Sequence, residues 1–149
     1  KTHGRKMICD FYLKQGRAER VNNWDIVDVS APWMGVYLTE IEDPMPLLIK
    51  LSKSRSLWQR RVSIILTFAL IRDGDLVPTI IISKVLLKDE QDLIHKAVGW
   101  MLRELGKKDV MLLRKFLTDH SHQMPRTMLR YSIEKLPEHE RKKWLVESR

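Results

Sequence analysis

Three short stretches carry residue types at spacings that could do chemistry. The first is Asn22-Asn23-Trp24-Asp25-Ile26-Val27-Asp28. A helix opened by Asn22 as N-cap, with Asp25 in its first turn, puts Trp24 and Asp28 four residues apart on one face. An indole face attracts cations and a carboxylate balances their charge, so this pair suits a cationic ligand. A core tryptophan beside a surface aspartate has the same spacing, and spacing alone favours that simpler reading. The second stretch is Trp58-Gln59-Arg60-Arg61, where Trp58 and Arg61 share a face at i, i+3. A packing tryptophan with solvent-exposed arginines is again the simpler reading. The third is Lys96-Ala97-Val98-Gly99-Trp100-Met101-Leu102-Arg103, with Lys96, Trp100 and Arg103 on one face. Glycine inside a helix costs about 1 kcal/mol relative to alanine, so something approaches closely at Gly99. That something is more often a neighbouring helix than a ligand.

Other chemistries find no support. His120 and His122 lie two apart, the wrong spacing to share a helical face, and no third ligand accompanies them. Asp73-Gly74-Asp75 lacks the rest of a calcium loop and reads as a turn between helices. There is no glycine-rich phosphate loop and no nucleophile elbow. Cys9 reads as a buried or incidental thiol. Neither a cofactor nor a metal is expected.

The elements that must hold these residues are helices. Apolar residues from Leu57 to Ile71 follow helical spacing up to the Asp73-Gly74-Asp75 turn. Leu76 to Leu87 contains the strand-like run Thr79-Ile80-Ile81-Ile82, but its length and flanks favour a buried helix. Leu93 to Leu105 is a helix with Gly106 as its expected C-terminal stop. Val110 to Leu117 continues the pattern. Pro125 opens a helix to Leu136, and a last one ends near Val146. Pro32 is expected to kink or restart the helix that holds Asp28. Arg61, Lys96 and Arg126 each stand near the start of a helix pair, 35 and then 30 positions apart. That period predicts an all-α fold, a right-handed α-solenoid of HEAT-like antiparallel helix pairs, with a basic row on one face. Helix N-termini on such a face also attract phosphate.

Composition sets the frame. The 149 residues make one domain of ordinary size, with 44% apolar and 31% charged residues. Six glycines and six prolines are too few for a sandwich of tight turns. The net charge of +8 suggests a polyanionic partner, nucleic acid ahead of a membrane surface. Residues 21–50 are the exception, with a net charge of −4 inside an otherwise basic chain. The single cysteine excludes an internal disulfide and suggests a reducing compartment such as the cytoplasm. No apolar run approaches the ~18 residues of a membrane span.

In order, the three stretches resemble the DNA alkylation repair family of AlkD-like glycosylases. The most specific part is His95-Lys96-Ala97-Val98-Gly99-Trp100-Met101-Leu102-Arg103-Glu104. Met124-Pro125-Arg126-Thr127-Met128-Leu129-Arg130-Tyr131 is similar to the family's C-terminal text, and the resemblance runs from about Val21 to Trp144. It implies a HEAT-like solenoid that removes N-alkylated purines, such as 3-methyladenine and 7-methylguanine, from duplex DNA. Asp28 then matches the catalytic aspartate, and Trp24 and Trp100 match the tryptophans beside the lesion nucleotide. Arg61 matches an arginine that holds backbone phosphate. Lys96 and Arg103 go to the DNA backbone or to the support of Asp28, and Arg60 and Arg126 complete the DNA-binding set. The resemblance also implies further helices before Lys1, which would make residues 1–149 the C-terminal part of a longer solenoid. A terminal repeat without its cap is expected to show apolar surface or to associate with another chain. Two other functions stay open on the same scaffold: a non-catalytic binder of DNA structure, and a protein-interaction scaffold.

Overall fold

The computed structural model describes residues 2–17 and 23–147. Among them every regular element is helical. In chain order these are α1 (Thr2–Arg17), α2 (Trp24–Met34), α3 (Met45–Ser52), α4 (Leu57–Ile65) and α5 (Thr67–Asp73). They continue with α6 (Val77–Val85), α7 (Asp92–Lys108), α8 (Val110–His120), α9 (Arg126–Ser132) and α10 (Glu138–Glu147). A 3-10 segment, Gly35–Glu40, extends α2, and another, Ser121–Gln123, follows α8. None of the described helices is long and apolar enough to cross a membrane.

Helix α7 organises the rest. Ile94, Ala97, Val98, Met101, Leu102 and Leu105 are fully buried and follow i, i+3, i+4 spacing, so they form one apolar stripe. That stripe packs α7 against α4, α5, α6, α8 and α9. A second row of contacts runs from α2 to α4, from α4 to α7 and from α7 to α9. These four helices carry Asp28, Arg61, Lys96 with Trp100 and Arg103, and Tyr131. The expected close approach at Gly99 is made by α9. A Cβ there would lie 2.5 Å from the Tyr131 Cβ and 2.7 Å from the Met128 carbonyl oxygen.

Several boundaries differ from the sequence-based expectation. The apolar run from Leu57 to Ile71 is broken at Leu66 into α4 and α5. Ser63 and Thr67 each turn their hydroxyl back onto a carbonyl three residues earlier, both at 2.6 Å, a pattern that bends helices. Asp73-Gly74-Asp75 closes α5 as expected. Gly74 takes φ 98°, and the amides of Gly74 and Asp75 reach back to the carbonyls of Ile71 and Leu70. Gly106 does not stop α7, which continues to Lys108. Its role is contact, since a Cβ there would lie 2.4 Å from Leu113 Cδ2 on α8. Asp109 ends the turn instead and caps α8 by accepting from the Leu112 amide at 2.9 Å.

The strand-like run of residues 79–82 lies inside α6, as its length and flanks suggested. Helix α9 ends at Ser132, earlier than Leu136, and a turn carries the chain on. Pro32 does not restart the helix at its own position. The α-helix passes through it to Met34 and then tightens to 3-10 geometry. The N-cap of α2 is Asn23, which accepts from the Asp25 amide at 3.0 Å; Asn22 lies outside the described residues. Apolar surface is present at this end of the fold, where Met7, Ile8 and Phe11 of α1 and Val29 and Trp33 of α2 are exposed.

Candidate active site

Asp28 sits one turn into α2, and Arg61 lies in α4, which packs directly on α2. The two side chains meet as a bidentate pair. Arg61 Nε donates to Asp28 Oδ1 at 2.9 Å, and Arg61 Nη2 donates to Oδ2 at 2.7 Å. Arg61 Nη1 donates to the Leu93 carbonyl in the first turn of α7. Arg61 is only 4% exposed, whereas the Asp28 side chain keeps 20% of its surface. The arginine thus holds the carboxylate from inside and leaves its outer edge open. Parallel charge-assisted bonds of this kind fix orientation as well as adding energy. On α1, burial pushes the Tyr12 phenol pKa up and the Asp28 charge adds to that shift.

The exposed edge of Asp28 lines a cleft of ≈ 450 Å³. Arg61 and Leu93 line it beside Asp28. Lys96, Trp100 and Arg103 bring in one face of α7, and Tyr131 enters from α9. Trp100 is half-buried, its ring 6.2 Å from that of Phe68 and tilted by 39°. Lys96 pairs with Asp92 at 3.0 Å. This hydrogen bond holds the Asp92 carboxyl below its ordinary pKa and raises the Lys96 ammonium. Arg103 donates to Glu134, and through Nη2 to Glu104 at 3.4 Å. The Arg103 hydrogen bond likewise lowers the Glu134 pKa.

Five of the residues singled out from sequence therefore share one cleft: Asp28, Arg61, Lys96, Trp100 and Arg103. The Trp24 side chain lies outside the described residues. Arg60 and Arg126 are elsewhere. Arg60 pairs with Asp89 at 2.7 Å and donates to the carbonyls of Ser54 and Arg55, tying the loop before α4 to the loop before α7. Neither Arg60 nor Arg61 is the solvent-exposed arginine that spacing favoured, although Trp58 does pack against the core. Arg126 donates to the Leu145 carbonyl at 2.7 Å and joins α9 to α10. Tyr131 was not singled out from sequence. Its signal was the combination of a glycine inside α7 with an aromatic on the helix that approaches it.

The arrangement has a definite chemical capacity. Each Asp28 oxygen uses one lone-pair direction on Arg61 and keeps another for a ligand or a water. Indole and phenol surfaces offer apolar walls, and the cations Lys96 and Arg103 beside them suit a polyanion.

A family model described as "DNA alkylation repair enzyme" matches residues 2–136. The chain belongs to the DNA alkylation repair enzyme family. No curated protein and no solved structure gives a significant match. Membership gives the protein a role in alkylation repair, with DNA as its substrate or partner. The matched span runs from α1 through α9 and includes every residue of the cleft. Helix α10 lies beyond it. Among the described residues no group of three potential metal ligands comes together.

Proposed function

We propose that this family member is a DNA N-glycosylase acting in base excision repair. It removes cationic N-alkylated purines, such as 3-methyladenine and 7-methylguanine, from duplex DNA. The observation that carries this reading is the Asp28 carboxylate, aimed by a buried Arg61 into a cleft lined by Trp100 and Tyr131.

The chemistry follows from the substrate's charge. A purine alkylated at N3 or N7 is already cationic, so its glycosidic bond is weak and the leaving base needs no proton. The C1′–N bond breaks with its electron pair going to the base, which leaves positive charge on the sugar. Asp28 faces that charge and stabilises it. Its free lone pair accepts a proton from the water that bonds to C1′, completing hydrolysis. Trp100 packs against the sugar edge and favours its positive charge. Arg61 positions Asp28. A phosphate contact from Arg61 uses the two terminal N–H groups left after its three protein bonds. Lys96 and Arg103 hold the backbone. In this reading α2, α4, α7 and α9 are the inner layer of a right-handed HEAT-like solenoid.

The test is release of 7-methylguanine from methylated duplex. Asp28→Asn is expected to slow release by roughly 10²–10³-fold while duplex binding persists. Equal rates for the two proteins would remove Asp28 from the chemistry.

A further inference from the structure

A second groove, of ≈ 360 Å³, lies between α9 and α10. Ile133 and Leu145 give it an apolar part, and Arg130 and Arg141 line it as well. Two like charges facing one groove repel unless an anion lies between them. The acids of the groove do not play that part. Glu134 is paired with Arg103 and Lys135, and Glu138 is paired with Lys142 at 2.8 Å. No ion pair holds Arg130 or Arg141 among the described residues. Moreover, Arg141 Nε is buried without an acceptor, a state that a ligand oxygen would relieve.

The groove and the candidate active site share a rim. Arg130 directly precedes Tyr131 of the cleft, and Glu134 of the groove holds Arg103 of the cleft. The link between the two is the Glu134 carboxylate, which lines the groove and accepts from Arg103 of the cleft. Arg141 stands on α10, beyond the span that the family model matches.

We propose that Arg130 and Arg141 form a second anion site that takes a backbone phosphodiester beside the nucleotide at Asp28. The inference rests on the reading of the cleft as a DNA site. A phosphodiester suits the pair because it offers only acceptors, which guanidinium forks match bidentately. The site adds affinity and fixes the register of the strand. It takes no part in bond breaking.

The experiment measures binding of a short fluorescein-labelled duplex without a lesion, over a range of salt concentrations. Arg130→Gln and Arg141→Gln are each expected to lower the slope of log K against log salt by about 0.9 and to weaken binding by roughly tenfold. Lys115→Gln removes the same charge from α8, where Lys115 lines neither the cleft nor the groove, and is expected to leave the slope unchanged. An unchanged slope in both arginine variants, or an equal fall in Lys115→Gln, overturns the proposal. Arg130 is exposed, so its variant carries the test if Arg141→Gln does not fold. Base release at saturating protein separates this site from the reading of the cleft. Loss of slope with no 7-methylguanine release by the wild type leaves the phosphate site standing and removes the glycosylase. Release by the wild type with unchanged slopes does the reverse.

Discussion

The two oxygens of Asp28 are held by two nitrogens of Arg61, at 2.9 and 2.7 Å, across 33 residues of sequence. The arginine is the buried member and the carboxylate the more exposed one. That asymmetry separates the labour of the pair. Arg61 belongs to the scaffold and ties α2, α4 and the first turn of α7 together through Asp28 and the Leu93 carbonyl. Asp28 keeps an open edge in the cleft. A carboxylate fixed in this way needs little reorganisation when charge develops in front of it.

Removing Arg61 is expected to damage the fold and not only the site. Losing Arg61 leaves the partly solvated Asp28 carboxylate and the Leu93 carbonyl without this partner, at a cost of about 1–3 kcal/mol. Arg61→Ala therefore lowers the thermal midpoint strongly, and Arg61→Lys restores it only in part, because an ammonium cannot form the two-point contact. Thermal melts of both variants beside Asp28→Asn check this. A melt of Arg61→Ala that matches the wild type would show that the pair is not structural.

The two glycines of α7 are expected to respond differently to alanine. At Gly99 the new methyl would strike the Met128 carbonyl oxygen and the base of Tyr131, neither of which can swing away. Overpacking of this kind costs about 1–3 kcal/mol. It also pushes Tyr131 out of place, so the base release proposed above is expected to fall with stability. At Gly106 the nearest atom is the tip of Leu113, a rotatable methyl. Helix propensity there offsets the strain by about 1 kcal/mol, and Gly106→Ala stays close to wild type. Denaturation midpoints of the two variants decide the matter, and an equal loss would contradict it.

These glycines also show how far the sequence could be read. The apolar stripe of α7 was legible because six buried residues repeat at helical spacing inside one segment. The cost of Gly99 signals a close neighbour, but spacing does not say which residue arrives, so it does not point to Tyr131. Gly106 looks like a stop in sequence because glycine serves both as a left-handed cap and as a contact point, and only packing tells them apart. The break at Leu66 was hidden because the apolar period runs straight through it while two hydroxyl groups bend the backbone. Five cleft residues could be named from motif resemblance. Their meeting could not be derived from spacing, since Asp28, Arg61 and Trp100 stand on three separate helices.

Lys96 and Arg60 were both expected to contact DNA, and the structure separates their tests. Lys96 lines the cleft and its side chain is 42% exposed. Lys96→Gln is expected to reduce the salt slope of duplex binding by about 0.9 with little change in melting. Arg60 is committed to Asp89 and two loop carbonyls. Arg60→Gln is expected to leave the slope unchanged and to lower stability by roughly 1–3 kcal/mol. A slope that falls for Arg60→Gln, at unaltered stability, would return that residue to the DNA-binding surface.

Cys9 supplies a pH dependence that does not involve the cleft. The thiol is 1% exposed, and burial, helped by the Asp10 charge, pushes its pKa from 9.0 up to about 11. The folded state therefore holds this proton more tightly than the unfolded chain does. Its contribution to stability is complete below pH 9, where both states are protonated. It declines from pH 9 to about pH 11, as the unfolded thiol ionises and the folded one does not. Wild type should accordingly lose stability over that window faster than Cys9→Ala, with the two curves parallel at lower pH. Alkylation of the native thiol by iodoacetamide should be slow at neutral pH and accelerate on unfolding, because the thiolate is the reactive form. Denaturant midpoints across the window and the alkylation rate test one cause by two routes. Parallel curves throughout, together with rapid alkylation of the native protein, would place Cys9 outside the core.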